Sequence, residues 1–183
     1  MDFGKLLKDT WQAFIKEIVN LILFAVVGMI LCLTIVLIPT VLGGWVRGYL
    51  GYVREGRRPE FNTLWNFDGY LQILLLILVQ AVLVSVGFML LVIPGVILSV
   101  WWLYSLFFLV DRNLSFWEAM RASREAVTRA GFFNQFVVLI IVWVLNALGG
   151  VLSGLGTLVT VPFTLVLLSL AYLDLSTQGT RTG

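Results

Sequence analysis

The chain contains no histidine, one cysteine and four prolines, and only 12% of its 183 residues are charged. Without histidine the commonest general base is missing, and most zinc and haem ligand sets with it. Cys32 alone can form no internal disulfide, and within an apolar run it reads as a buried structural thiol. The shortage of charge excludes the most. A soluble domain carries about 25% charged and about 45–50% apolar residues. Here the apolar share is 60% and the mean hydropathy +1.01. That composition rules out an ordinary soluble enzyme, a disordered tail and a secreted disulfide scaffold, and describes an integral membrane protein. Lys and Arg number 12 against 10 Asp and Glu, a net charge of +2. No basic tract offers a nucleic-acid footprint, so no nucleic-acid partner is expected. HExxH, CxxC, P-loop and nucleophile-elbow patterns are all missing, and acidic groups fall only in the charged loops. No catalytic residue, cofactor or metal site is expected, and no enzymatic activity.

What the chain does have is three long apolar tracts, Ile18–Val53, Gly69–Val110 and Phe132–Leu173. A helix needs about 20 residues to cross the hydrocarbon, so each tract suits two spans and a tight turn. The tracts do not alternate in polarity as barrel strands must. The expected fold class is all-α: a polytopic membrane helical bundle of six transmembrane helices in three hairpins, one integral membrane domain over residues 1–183. Residues 1–17 are charged, and the apolar run Ile18–Ile38 exceeds a signal-peptide core of roughly 7–15 residues. The N-terminus therefore reads as mature protein.

Turn residues mark the middle of each tract: Pro39 with Gly43-Gly44, Gly87 with Pro94-Gly95, and the glycine-rich stretch Gly149–Gly156 before Pro162. Pro39 and Pro94 suit the first turn of a helix, where a missing N–H costs nothing. Pro162 lies deeper and reads as a kink. Proline is followed ten residues on by tyrosine three times, at Pro39–Tyr49, Pro94–Tyr104 and Pro162–Tyr172. This divides the chain into three candidate repeat units, 3–54, 61–110 and 116–175. Convergent hairpin grammar is the alternative explanation. Lys and Arg cluster in 5–16, 47–58 and 112–129, with Arg181 near the end, whereas the three intervening turns carry no charge. The positive-inside rule then puts both termini and both inter-hairpin loops in the cytoplasm.

Two segments have helical sidedness of their own. Phe3, Leu6, Leu7, Trp11, Phe14, Ile15 and Ile18 recur at i, i+3, i+4, i+7 spacing, opposite Lys5, Lys8, Asp9, Gln12 and Lys16. This pattern predicts an amphipathic interfacial helix. Ser115-Phe116-Trp117-Glu118 has the form of a capping box, and Ala119, Ser123, Ala126 and Ala130 form a small-residue face suited to packing on protein. The shorter segment Phe61–Phe67 reads as an interfacial turn with Trp65.

The run Asp111-Arg112-Asn113-Leu114-Ser115-Phe116-Trp117-Glu118-Ala119-Met120-Arg121-Ala122-Ser123 resembles a motif of bacterial multi-pass membrane proteins of unknown function. It is also similar to the membrane domain fused to some glycerophosphoryl diester phosphodiesterases. The likeness is specific over about 20 residues. It implies a helical bundle with interfacial helices in the bacterial cytoplasmic (inner) membrane, and it implies no chemistry, because the catalytic domain is absent from this sequence.

The candidate lipid-interface residues are Phe3, Trp11, Phe14, Arg47, Trp65 and Trp117. Arg47, about 10 Å of helix from Arg54, reads as a snorkelling anchor, with a lipid-phosphate or gating role as the alternative. Candidate packing or path residues are Gly44, Gly48, Gln80, Asn146, Thr160 and Pro162. Gly44 and Gly48 form a GxxxG that suits a close helix partner, whereas Gly150 and Gly154 read as loop. Trp45, Tyr49, Tyr52, Trp101, Trp102, Tyr104, Trp143 and Tyr172 read as interface anchors. Asp111 and Asp174 end two spans and are expected to pair with arginine. The resulting expectation is a non-enzymatic membrane-organising or accessory component binding membrane lipid, itself or a partner membrane protein. A small channel or transporter subunit, with a path past Gln80, Asn146 and Thr160, is the alternative.

Overall fold

The computed structural model describes residues 3–31, 37–151 and 156–181. They form α1 (Phe3–Lys16), α2 (Ile18–Leu31), α3 (Ile38–Glu55), a 3-10 turn (Phe61–Trp65), α4 (Tyr70–Leu90), α5 (Val92–Trp101), α6 (Ser105–Arg112), α7 (Phe116–Ala130), α8 (Phe132–Val151) and α9 (Thr157–Arg181), with no strand among the described residues. Cys32 and Gly154 lie outside those residues; Gly150, expected in a loop, lies in the last turn of α8.

Four segments are long and apolar enough to cross a membrane: Tyr70–Leu90, Val92–Arg112 (α5 and α6 together), Phe132–Gly150 and Thr157–Thr177. A fifth exists if α1 and α2, which meet at 86°, form one broken span. α2 alone has 14 residues, about 21 Å of helix against about 30 Å of hydrocarbon. α3 carries Arg47, Arg54 and Glu55 within its 18 residues. Its burial comes from protein instead: it packs against α2, α4, α6, α9 and the 3-10 turn, and eleven of its residues are buried, Val41, Val46 and Tyr52 among them.

The prolines sit where their chemistry permits. Pro39 occupies the first turn of α3 and Pro94 the first turn of α5, while Pro162 lies inside α9. The three following tyrosines are not surface anchors. Tyr49, Tyr104 and Tyr172 are the largest fully buried side chains, because each hydroxyl finds an internal acceptor. Tyr49 donates to the Leu21 carbonyl (2.9 Å), Tyr104 to Gln135 Oε1 (2.8 Å) and Tyr172 to Asp111 Oδ2 (2.8 Å). A buried phenol so paired avoids the desolvation penalty and lets the ring pack as core. Tyr172 meets Phe107 and Phe108 at ring separations of 5.6 and 4.9 Å; Tyr49 meets Phe24 at 5.6 Å. Tyr52 and Trp45 are buried too.

Glycines bring the apolar helices together. Gly87 and Gly95 let the backbones of α4 and α5 approach so closely that a β-carbon on Gly87 would lie 3.0 Å from Gly95 Cα. Between α5 and α6 the helix opens at Trp102–Tyr104, freeing backbone groups that hydrocarbon could not satisfy. Side chains take them up. Ser123 of α7 donates to the Trp101 carbonyl (2.7 Å) and accepts from the Tyr104 N–H (3.2 Å), while Gln80 donates to the Trp102 carbonyl (3.4 Å).

Candidate lipid-interface site

Helix α7 begins with both halves of a capping box in place. Glu118 N–H donates to Ser115 Oγ (3.4 Å), and the Ser115 N–H and hydroxyl donate to Glu118 Oε2 (3.0 and 2.7 Å). Those two hydrogen bonds, the side-chain one foremost, hold the Glu118 carboxyl below the usual carboxylate range. The Phe116 N–H donates to Gln72 Oε1 (3.0 Å), which fixes the start of α7 to α4. From there Ala119, Met120, Ser123, Ala126 and Val127 are buried, whereas Trp117, Arg121, Arg124, Glu125, Thr128 and Arg129 are exposed. Small side chains on the inner face allow α7 to lie close over α5 and α6.

That closeness puts arginines beside tryptophans. The Arg124 guanidinium lies 4.5 Å from the centre of the Trp101 ring, and Arg112 lies 4.9 Å from that of Phe108. A cavity of about 140 Å³ is lined by Leu98, Trp101, Trp102, Trp117 and Met120, with Arg121 and Arg124. An open cavity of about 640 Å³ is bordered by the same two arginines with Glu125, Thr128 and Arg129. A third, of about 170 Å³, lies among Arg112, Glu125, Arg129 and Ser176. Among the described residues, Arg112, Arg121, Arg124 and Arg129 form no ion pair. Arg54 differs: both its terminal nitrogens reach Asp111 (2.8 and 3.0 Å), and Tyr172 donates to the same carboxylate, so one node joins α3, α6 and α9. The arginine partner expected for Asp111 is thus Arg54.

The remaining candidates separate. Trp11 is 57% exposed and Trp65 and Trp117 are each 54% exposed, as an interfacial role requires; Phe14 is 3% exposed and is core, its ring 5.5 Å from Phe163 of α9. The i, i+4 spacing could not tell Phe14 from Trp11, since α1 carries two apolar stripes. Leu6, Thr10 and Phe14 are buried, while Leu7, Trp11 and Ile15 are exposed; Ile18, expected on the same stripe, begins α2 beyond the bend. The side chain of Phe3 lies outside the described residues. Arg47 turns back to the loop before α4, donating to the Asp68 carbonyl at 2.6 Å. Gly44 and Gly48 do serve close approach, but within this chain. A β-carbon on Gly44 would lie 2.5 Å from the Thr63 carbonyl oxygen, and one on Gly48 2.6 Å from the Phe24 ring. Gln80 serves the α5–α6 break, Asn146 donates to the Val142 carbonyl of its own helix (2.8 Å), and Thr160 packs on Gly149. None of these three lines the cavities around α7.

Sequence pattern alone passed over the pairing of Trp101 and Trp102 with Arg121 and Arg124. The signal available was the i, i+3 arginine pair one turn after Trp117, which shares a helix face. No family model, no curated protein and no solved structure matches the chain.

Proposed function

We propose that this protein is a non-enzymatic membrane component that organises lipid at the cytoplasmic interface of a bacterial inner membrane, with a homo-oligomer or a partner membrane protein as its further setting. The observation that carries this reading is the second apolar stripe of α1. Packing on α9 centres on the buried stripe of Leu6, Thr10 and Phe14, with Trp11 touching Phe163 edge-on at 6.4 Å while most of its ring stays exposed. Leu7, Trp11 and Ile15 stay exposed beside Lys5, Lys8 and Lys16. A helix with apolar side chains left over and lysines alongside suits the acyl–headgroup boundary. Six spans with both termini cytoplasmic remain the topology that the charge distribution favours; α2 and α3 would form its first pair, with Arg47 held by the loop rather than by lipid.

The exposed stripe can be removed with little intrusion on the core, since Trp11 meets Phe163 edge-on and is 57% exposed. In the variant Leu7→Ser, Trp11→Ser, Ile15→Ser, the protein is expected to fold but to retain several-fold less native lipid on gentle extraction, and cells relying on it to lose its normal distribution. Lipid retention and distribution equal to those of the parent protein would sink the proposal.

A further inference from the structure

We propose that the tryptophan slot on α5 and α7, with Arg121 and Arg124 at its mouth, binds a phosphate-bearing amphiphile, the phosphate on the two guanidinium groups and the start of the apolar tail among Trp101, Trp102 and Trp117. The proposal rests on the lipid-binding reading above and names the lipid chemistry. Two spaces of different character meet at the same two arginines: the apolar slot of about 140 Å³ and an open space of about 640 Å³ bordered by charged and polar residues. A soluble anion would need only the second, and a neutral alkyl chain only the first.

Charge and geometry agree with that division. Three arginines and one carboxylate, Glu125, border the open space, and none of the three arginines is in an ion pair among the described residues. Stacking of Arg124 on Trp101 at 4.5 Å restricts the guanidinium plane while its N–H edge keeps the planar fork that matches two phosphate oxygens. Arg121, one turn away on the same face, is placed to take a further oxygen. Beyond the slot the surface of α5 stays apolar, half-buried at Val96, Ile97 and Leu98 and fully bare from Ile93 back to Met89.

The test uses the full chain in nanodiscs of phosphatidylcholine containing a minor fraction of phosphatidylglycerol, with bound lipids counted by native mass spectrometry. The double variant Arg121→Gln, Arg124→Gln is expected to lose about fivefold or more of its phosphatidylglycerol enrichment. The same charge change in Lys8→Gln, Lys16→Gln is expected to lose much less. Trp117→Ser should weaken retention of long-chain lipid while leaving any binding of inorganic phosphate unchanged. Equal losses in the arginine and lysine variants would overturn the site in favour of general surface charge. Displacement of the lipid by millimolar inorganic phosphate would overturn it as a site for amphiphiles. The α1 variant separates the two proposals: loss of overall lipid retention with the phosphatidylglycerol preference intact confirms the arginine site, and the converse pattern removes it.

Discussion

Gly44 and Gly51 lie on the same helix, yet adding one methyl group to each has opposite consequences. At Gly44 the new carbon meets backbone, the Thr63 carbonyl and Leu64 Cα, which cannot swing aside; at Gly51 it meets nothing within 4 Å. Gly44→Ala is therefore expected to destabilise the protein by about 1–3 kcal/mol, and Gly51→Ala to be neutral or stabilising by up to about 1 kcal/mol. Thermal unfolding of the two variants in one detergent checks the contrast, which a shared drop in midpoint would refute. The close approach at Gly44 was legible in the spacing of the glycines. Its occupant, a 3-10 turn, was not, because no pattern links Phe61–Trp65 to α3. The tyrosines show the same limit. Their spacing after proline is plain in the sequence, but a phenol suits an interface or a core equally, and the acceptors that decide for core lie 28, 31 and 61 residues away.

At the scale of the element, α7 is the helix whose start depends most on ionisation. The folded Glu118 carboxyl titrates below its ordinary value because Ser115 donates to its charged form. A carboxylate with a depressed folded value adds stability above the ordinary carboxylate range and loses it as pH falls through the folded value. Amides in the first turn of α7 should therefore lose protection, measured against the intrinsic exchange rate at each pH, on acidification below about pH 4, near the unperturbed carboxylate range. Ser115→Ala should already exchange fast at neutral pH, with helix stability reduced by about 0.5–2 kcal/mol. Hydrogen exchange that ignores both changes would show that the cap contributes nothing. The cap and the small-residue face could be read from the sequence, since both are local. The role of Ser123 in closing the α5–α6 break could not, because nothing in the apolar run marks Trp102–Tyr104 as open.

For the whole molecule, helicity followed directly from apolar tracts too long and too even for strands, whereas the number of spans did not. Hydropathy records that a segment avoids water, not whether lipid or protein surrounds it, and α3 is the segment where those differ. Topology is open to direct measurement in a Cys32→Ala background. Gly95 is a poor place for a reporter cysteine, since a β-carbon there would lie 2.5 Å from the Phe88 ring, but Leu91 and Ile93 are bare. Cysteine at Leu91 or Ile93 is expected to label from outside intact cells, and cysteine at Glu55 or Arg121 only after permeabilisation; the reverse pattern would invert the orientation. The uneven burial of the indoles has a further consequence. Trp11, Trp65, Trp117 and Trp143 are each more than half exposed, while Trp45 is sheathed by core. Emission from this protein is therefore dominated by rings open to whatever surrounds it. Bromine atoms carried at successive depths of the acyl chains would dim one group of indoles after another, so that the molecule serves as its own optical gauge of how deep each surface sits.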